Sequence, residues 1–173
     1  MAGRSPREDG ERMVTRALPV SVRPAVPSDL EDVLSIERVS FSDPWTRDSF
    51  ESAISLAHTR FLVAEEGEGE PGADVRVVGY VLALLLAEEG EIADIAVAPD
   101  GRRCGVGGLL LDRVIAETSA RRLQALYLEV RESNVAARAL YGSRGFEMVG
   151  TRRGYYRRPT EDALVLKRAF NQT

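Results

Sequence analysis

The sequence predicts an α/β fold, a mixed sheet of about six to seven strands covered by four helices. Apolar runs of strand length recur along the chain, many of them alternating with polar residues, and four segments between them have helical periodicity. Their order, β-α-α-β-β-β-α-β-α-β-β, is typical of helices packed on a sheet. With 173 residues, of which 44% are hydrophobic, the chain can bury one core of ordinary size.

The ends of the predicted elements carry local signals. Ser28 followed by Glu31 has the spacing of a helix capping box. Ser133-Asn134 precedes another helix as an N-cap, and Gly145 follows that helix as a stop. Gly79 within a strand predicts a bulge or a close backbone approach. The predicted strands are 20–25, 60–64, 75–86, 91–97, 125–130, 146–156 and 163–166, and the predicted helices are 28–40, 46–57, 105–120 and 135–144.

Two segments are expected to stay outside the folded core. Residues 1–18 are polar, charged and interrupted by Gly and Pro, which predicts a disordered leader. Residues 65–74 are acidic and glycine-rich, which predicts a flexible hairpin loop. We therefore expect a single folded domain over 19–170.

Composition excludes several classes of protein. The net charge of −4 argues against a general nucleic-acid binder. The longest apolar run, Tyr80–Ala87, is too short to span a bilayer, and the N-terminus lacks the apolar core of a signal peptide. Cys104 is the single cysteine, so the chain has no internal disulfide and suits a reducing compartment. We expect a cytoplasmic protein, a monomer or weak dimer, that binds neither membrane nor nucleic acid directly.

The most informative segment, 95–111, runs from an apolar strand through a glycine-rich basic loop into an amphipathic helix. The first amides of a helix have no intrahelical acceptor and bind anions. Gly105 and Gly107 allow a ligand to approach the backbone closely, while Arg102 and Arg103 add positive charge. The segment therefore predicts a diphosphate site, although an ordinary glycine turn before a helix is the alternative.

The spacing of the glycines narrows the choice of ligand. No Lys-Ser or Lys-Thr pair follows them, as a P-loop requires, and the third glycine of a dinucleotide fingerprint is missing. The pattern Arg102-x-x-Gly105-x-Gly107 directly after a strand resembles instead the acetyl-CoA loop of the GNAT acyltransferase superfamily.

A second group of residues carries possible acid–base chemistry. Glu129 lies mid-strand between apolar residues, where a carboxylate is costly unless it has a partner or a role, and buried carboxylates can serve as general bases. Asn134 could contact an amide-bearing ligand, and the Tyr141 hydroxyl could donate a proton. The structural alternatives are a strand-end Glu with one solvated face, a plain N-cap and a core tyrosine.

Together these segments resemble the GNAT superfamily and, within it, the ribosomal-protein-alanine N-acetyltransferases. The resemblance extends over residues 20–168. It rests on the glycine loop and on Ile95-Ala96-Val97, Leu128-Glu129-Val130-Arg131-x-Ser133-Asn134-x-Ala136-Ala137, Ala139-Leu140-Tyr141-x-x-x-Gly145-Phe146, Tyr155-Tyr156, Glu161-Asp162-Ala163 and Asp43-Pro44-Trp45.

The resemblance implies a fold whose parallel central strands splay apart, with acetyl-CoA as co-substrate and no metal. It also implies that the acceptor is the N-terminal peptide of a protein, a ribosomal protein in this family. Glu129 matches the general base and Tyr141 the general acid. The residues expected to bind acetyl-CoA are Ile95, Ala96, Val97, Arg102, Arg103, Cys104, Gly105, Val106, Gly107, Gly108 and Asn134. Trp45, Tyr155 and Tyr156 are expected to bind the acceptor.

Three other functions remain open at this point. A GNAT enzyme could acetylate a lysine side chain, a broader range of N-termini or a small amine. A non-catalytic acyl-CoA-binding partner subunit would share the loop, although the presence of both Glu129 and Tyr141 argues against it. Arg152-Arg153 and Arg157-Arg158 could support a role linked to nucleic acid, attract an acidic peptide or face solvent.

Overall fold

The computed structural model describes residues 19–67 and 75–170. Its strands are β1 (Val20–Pro24), β2 (Thr59–Glu66), β3 (Arg76–Leu86), β4 (Glu89–Val97), β5 (Ala125–Arg131), β6 (Glu147–Arg157) and β7 (Thr160–Ala169). Its helices are α1 (Leu30–Ser40), α2 (Arg47–Ser55), α3 (Val106–Ala120) and α4 (Val135–Gly142). Within these residues the predicted α/β class and element order are confirmed. The predicted leader and most of the predicted acidic loop lie outside the described residues.

The strands form a sheet in the order β1-β2-β3-β4-β5-β7-β6. Neighbouring strands are antiparallel except β4 and β5, which are parallel. The parallel ladder is short, because Glu89–Ile92 of β4 pairs with Ala125–Leu128 of β5 and the pairing then stops. Since β4 continues to Val97 and β5 to Arg131, the two strands diverge and leave a gap in the middle of the sheet.

A one-residue bulge in β4 marks the point of divergence. Leu82 of β3 is opposite Asp94, but the next residue, Ala83, is opposite Ile92, so Ala93 is the extra residue. Residues two apart normally share a face of a strand. Here Ile92 packs with the core under α3, whereas Asp94 is buried on the opposite face.

Apolar side chains cover both faces of the sheet, under α3 and α4 on one side and under α1 and α2 on the other. The sequence of α3 predicts a buried stripe of Val106, Leu109, Leu110 and Val114. Three of these residues are buried, but Leu109 is 45% exposed, so its assignment was wrong. Leu110 and Val114 are fully buried, so the side of α3 that faces the sheet contains these residues, and Leu109 lies outside it. Burying side chains of this size contributes about 1.5–3 kcal/mol each.

Gly79 combines the two features predicted for it. Val78 is an extra residue in β3 opposite β2, which is a bulge beside Gly79. A Cβ on Gly79 would lie 3.1 Å from both the Ala96 carbonyl oxygen and Val106 Cγ1, so the glycine also lets α3 and β4 come close.

Several predicted boundaries were wrong, among them those of β7, which was predicted over 163–166 and runs over Thr160–Ala169. Helix α1 begins at Leu30 after a 3-10 turn and its N-cap is Asp29, so the predicted capping box of Ser28 and Glu31 was wrong. The Asp29 carboxylate accepts the N–H of Val26 at 2.8 Å, at the start of the 3-10 turn. Strand β2 extends through Glu66, because Glu65 pairs with Arg23 across the sheet edge, with Nε 2.6 Å from Oε2. A cross-strand ion pair therefore holds a carboxylate that composition alone had assigned to a loop.

Candidate active site

The glycine loop leads into α3 as predicted, with its backbone open to the outside. Gly105 is the N-cap of α3, with φ of +84°, a left-handed conformation that favours glycine. A Cβ built on Gly105 would meet nothing within 4 Å, so space remains beside the first amides of the helix. Arg103 also has a positive φ, +63°. The loop therefore fits an anionic group such as a diphosphate.

The next two glycines have a different use. A Cβ on Gly107 would lie 3.3 Å from Leu140 Cδ2, and a Cβ on Gly108 would clash with the guanidinium of Arg144. Arg144 in turn pairs with Asp112 of α3, with Nε 2.9 Å from Oδ1. Gly107 and Gly108 thus allow α4 and its end to pack closely against the start of α3.

The other loop residues differ in their surroundings. Arg102 donates from Nε to the Val97 carbonyl oxygen at 3.0 Å and from Nη2 to Ser40 Oγ at 3.3 Å, so its side chain joins the loop to β4 and α1. Arg103 and Cys104 are exposed. Their positions leave both side chains accessible to a ligand on the loop.

The last residues of β4 form one wall of the gap. Ile95 and Val97 pack against the core under α3, and Ala96 is buried on the opposite face. Because the ladder with β5 stops at Ile92, the β5-facing backbone edge of 95–97 is not paired with β5. A pantetheine arm can hydrogen-bond to a strand edge of this kind.

Glu129 lies on β5, one residue beyond the last pair with β4. Its carboxylate has a partner that the sequence did not identify, because Arg152 of β6 places Nε 2.8 Å from Oε1. The Tyr155 hydroxyl also hydrogen-bonds to Glu129, and this bond raises the pKa of Tyr155 above its ordinary value. The Glu129 side chain is 16% exposed, so it is neither solvated like a surface residue nor sealed off.

Tyr141 of α4 is buried, with its ring 5.9 Å from that of Phe146. Burial, reinforced by the charges of Asp94 and Tyr156, raises the pKa of Tyr141 well above that of a free tyrosine. The hydroxyl therefore carries its proton at neutral pH, as a general acid must.

Asn134 is confirmed as the N-cap of α4, where its Oδ1 accepts the N–H of Ala137 at 3.1 Å. This bond uses the carbonyl oxygen of the side chain and leaves the carboxamide nitrogen outside the cap. Because Asn134 is exposed, capping and ligand contact can coexist.

The three residues expected to bind the acceptor differ in exposure. Tyr155 is 48% exposed, and its ring stands perpendicular to that of Tyr156 at 5.2 Å. Trp45 is 36% exposed, and its ring lies 5.7 Å from the buried Phe50 ring, so Trp45 lies at the edge of the hydrophobic core rather than within it. Burial, together with the nearby charge of Glu129, raises the pKa of Tyr156 to about 12.

Arg131 connects the acceptor-side elements, and sequence analysis did not single it out. Its guanidinium lies 4.1 Å from the centre of the Tyr156 ring and donates to Ser42 Oγ at 3.1 Å. It also donates to the carbonyl oxygens of Arg158 and Pro159, at 3.3 and 3.2 Å. One side chain thereby joins β5 to the segment between α1 and α2 and to the β6–β7 turn.

The α1–α2 loop (residues 41–46) spans the gap between β4 and β5. Beside it, Ser40 bonds to Arg102 after the end of β4, and within it Ser42 bonds to Arg131 at the end of β5. Asp43 pairs with Arg158, with Oδ1 3.0 Å from Nη2. The loop and the end of α1 are thus bonded to residues that follow or end the two strands bordering the gap.

A groove of about 620 Å³ reaches Glu129 along the sheet. It is lined by residues of β3, β4, β5, β6 and β7 and of the β3–β4 turn: Leu84, Leu86, Ala87, Glu88, Glu89, Gly90, Glu91, Tyr127, Leu128, Glu129, Arg152 and Val165. In residues 19–67 and 75–170, no group of three or more His, Cys, Asp or Glu side chains is placed to hold a metal ion. None of the helices described there is long and apolar enough to cross a membrane.

The chain is similar in sequence and in structure to known N-acetyltransferases. The chain is 34% identical over 143 residues to the ribosomal protein bS18-alanine N-acetyltransferase of Escherichia coli K12, covering 80% of this chain and 90% of that protein. It is 32% identical over 156 residues to the N-alpha-acetyltransferase RimI of Mycobacterium tuberculosis, covering 87% and 92%. The crystal structure of the Escherichia coli ribosomal-protein-S18-alanine N-acetyltransferase matches with a TM-score of 0.77 and 29% identity, covering 90% of this chain and 96% of that one.

The family signature covers the same elements that form the gap and the glycine loop. A model of the acetyltransferase (GNAT) family matches residues 30–146, from the start of α1 past the end of α4. This range includes the parallel strands, the helix N-terminus beside them and both candidate acid–base residues. The chain therefore belongs to the acetyltransferase (GNAT) family.

Proposed function

We propose that the protein acetylates the α-amine of a protein N-terminus, using acetyl-CoA, and that the acceptor is the N-terminal alanine of a ribosomal protein. The observation that carries this proposal is the placement of Glu129 directly beyond the last β4–β5 pair, where it lines an open groove and its carboxylate accepts the Tyr155 hydroxyl. The Escherichia coli relative is named for such an acceptor, the alanine of ribosomal protein bS18, which supports the choice among amines. We further propose that the protein works in the cytoplasm.

Acetyl-CoA fits the residues that surround the gap. Its diphosphate would lie on the open amides of Arg103–Gly108, at the start of α3. Its pantetheine arm would follow the unpaired edge of Ile95–Val97, with Asn134 on the opposite side. When bound, acetyl-CoA supplies the thioester whose acetyl group is transferred.

The chain's own side chains then move two protons. A peptide α-amine has a pKa of about 7.7–8.0 and is largely protonated at neutral pH, so it must lose a proton before it attacks. The Glu129 carboxylate accepts that proton, directly or through a water, and passes it to solvent. The nitrogen loses a second proton as the tetrahedral intermediate collapses, and this proton replaces the one that Tyr141 gives to the sulfur. Tyr141, which keeps its proton at neutral pH, donates it to the departing sulfur. The backbone N–H of Val97 is our candidate for stabilising the negative charge that develops on the carbonyl oxygen.

The test is mass spectrometry of peptides incubated with the protein and acetyl-CoA. One peptide begins with a free alanine, and a second is blocked at its N-terminus but carries lysine. We expect acetylation of the free terminus alone, lost in Glu129→Gln and retained in Glu132→Gln, which alters an exposed carboxylate three residues along the chain. Acetylation of lysine would refute the acceptor, and no acetylation of either peptide would refute the reaction.

A further inference from the structure

Three buried polar side chains lie beneath the α1–α2 loop, and acyl transfer as described above uses none of them. They are Glu37 of α1, Tyr80 of β3 and Asp94 of β4, with residue exposures of 0%, 0% and 8%. The Tyr80 hydroxyl donates to Glu37 Oε2, and its oxygen lies 3.0 Å from Asp94 Oδ2. The rings of Phe50 and Phe61, 5.6 and 6.2 Å from that of Tyr80, separate the group from water.

The number of protons in this cluster follows from its geometry. Tyr80 has one hydroxyl proton and can donate it to only one carboxylate at a time. With that proton on the bond to Glu37, the short contact to Asp94 is favourable when Asp94 carries a proton and donates it to the Tyr80 oxygen. Burial and the neighbouring charge of Glu37 raise the pKa of Asp94 to about 8, which is consistent with a neutral Asp94 at pH 7.

The hydrogen-bond chain ends on the backbone of the α1–α2 loop. The second oxygen of Glu37, Oε1, accepts the N–H of Trp45 at 2.6 Å. The same loop reaches β5 through the bond between Ser42 and Arg131. Glu37 therefore bonds to the α1–α2 loop from the buried side. Arg131 and Arg158 bond to the same loop from the exposed side, next to the gap.

We propose that Glu37 is a positioning residue for the acceptor peptide: one proton shared between Asp94 and Glu37 through Tyr80 keeps the α1–α2 loop in place, and loss of that proton releases the loop and weakens acceptor binding. This proposal rests on the proposed function where it concerns the acceptor. The part of the proposal that describes the loop applies to the protein without any substrate bound.

The groups that face Asp94 explain why the loop should be released when the pH rises. Among the described residues these are Glu37 from α1, Tyr80 from β3 and Tyr141 from α4, while α2 and β2 contribute the Phe50 and Phe61 rings. None of them is a cation, so ionisation of Asp94 places a second negative charge beside Glu37 without compensation. The two carboxylates then repel each other, and Tyr80 can satisfy only one of them.

Trp45 makes the loop observable without any assay of activity. It is the one tryptophan of the chain and lies in the loop, and its backbone N–H donates to Glu37. We expect its fluorescence emission, excited selectively, to shift to longer wavelength as the pH rises through about 8. The KM for an alanine-starting peptide should rise about tenfold between pH 7 and pH 9, the scale of one charge-assisted hydrogen bond.

Variants separate positioning from general damage to the fold. Asp94→Asn removes the titrating group, so both alkaline transitions should disappear. Glu37→Ala should give the shifted emission at every pH and a KM about tenfold higher at pH 7, with kcat and the Kd for acetyl-CoA little changed. Glu37→Gln keeps an acceptor for Trp45 N–H and should restore most of the loss. Asp32→Asn, which alters an exposed carboxylate on the same helix, is the matched control.

The proposal fails if the wild-type emission is constant from pH 6.5 to 9.5, or if Asp94→Asn shows the same transition as the wild type. It also fails if Glu37→Ala lowers kcat and leaves the peptide KM unchanged. Absence of acetyl transfer to any peptide would refute the proposed function instead, and the fluorescence transition would still decide whether the shared proton holds the loop.

Discussion

The Arg152 guanidinium lies against the Glu129 carboxylate, with Nε 2.8 Å from Oε1, and both residues line the groove. The Arg152 side chain is 60% exposed, whereas that of Glu129 is 16% exposed. An ion pair with one partner this exposed is worth about 0–1 kcal/mol. A positively charged peptide amine can therefore take the place of Arg152 beside Glu129 at little cost.

Replacing Glu129 with Gln should abolish proton acceptance and keep the shape of the side chain. We expect kcat to fall on the order of 10²–10⁴-fold, the usual effect of losing a general base. The Kd for acetyl-CoA, measured by calorimetry, should stay within error of the wild type. A variant that keeps its full rate would exclude Glu129 as the base.

Tyr141→Phe tests the proton donor. The phenylalanine ring can keep the packing against Phe146, so thermal stability should change little, whereas kcat should fall on the order of 10²-fold. Steady-state kinetics and a melting curve measured on the same preparation separate the two effects. A large loss of stability with little loss of kcat would instead assign Tyr141 to the core.

Gly105→Ala tests the backbone of the anion site. Space is free around a Cβ at this position, so the expected harm comes from the left-handed φ of +84°, which costs a residue with a Cβ about 1–2 kcal/mol. We expect a several-fold higher KM for acetyl-CoA and an unchanged KM for the peptide. Gly142→Ala, at the end of α4 where a Cβ also meets nothing within 4 Å, is the control and should leave both KM values unchanged.

Arg131→Met should loosen two segments that its side chain holds near the end of β5, the α1–α2 loop and the part of β6 around Tyr156. The variant loses the contact with Tyr156 and the bond to Ser42, which predicts destabilisation of about 1–3 kcal/mol in a denaturant titration. The KM for the peptide should rise while the Kd for acetyl-CoA stays constant. Arg138→Met, an exposed arginine with one bond to a backbone carbonyl, is the comparison, and an equal loss there would contradict the assignment.

Asp94 predicts how stability depends on pH. Its pKa is raised to about 8 in the folded protein, against about 3.9 for an unperturbed aspartate, so the folded state holds a proton that the unfolded chain releases. The stabilisation from this proton is complete below about pH 4 and is lost as the pH rises through about 8. Between pH 6 and 9 the Tm should fall more steeply for the wild type than for Asp94→Asn. Parallel curves, measured by circular dichroism, would contradict the shift.

The parts of the site that the sequence could predict are local. Asn134 and the amide it caps are three residues apart, and Gly105 follows a strand and precedes a helix, so short spacings contain the information. The alternation within β5 placed Glu129 on a strand for the same reason. Patterns of this kind also determined the order of all eleven elements.

The parts that the sequence could not predict depend on pairing between distant elements. Nothing near Glu129 in sequence indicates Arg152, because the β5-β7-β6 order that brings them together is a property of the whole sheet. The Glu37–Tyr80–Asp94 cluster joins three elements in the same way. Leu109 was misassigned because α3 begins with several consecutive apolar residues, and packing on the sheet decides which of them point inward.

The bulge at Ala93 also determines which changes of sequence β4 can tolerate. Substitutions at Ile92 and Asp94 affect opposite faces of the sheet, so the apolar core under α3 and the buried carboxyl group of Asp94 can be altered independently. Deleting Ala93 would make Ile92 and Asp94 consecutive, and consecutive residues of a regular strand also face opposite sides, so both side chains would keep their faces. A chain that lacks Ala93 can therefore be expected to keep both the core under α3 and the buried carboxylate, with a regular β4 in place of the bulge.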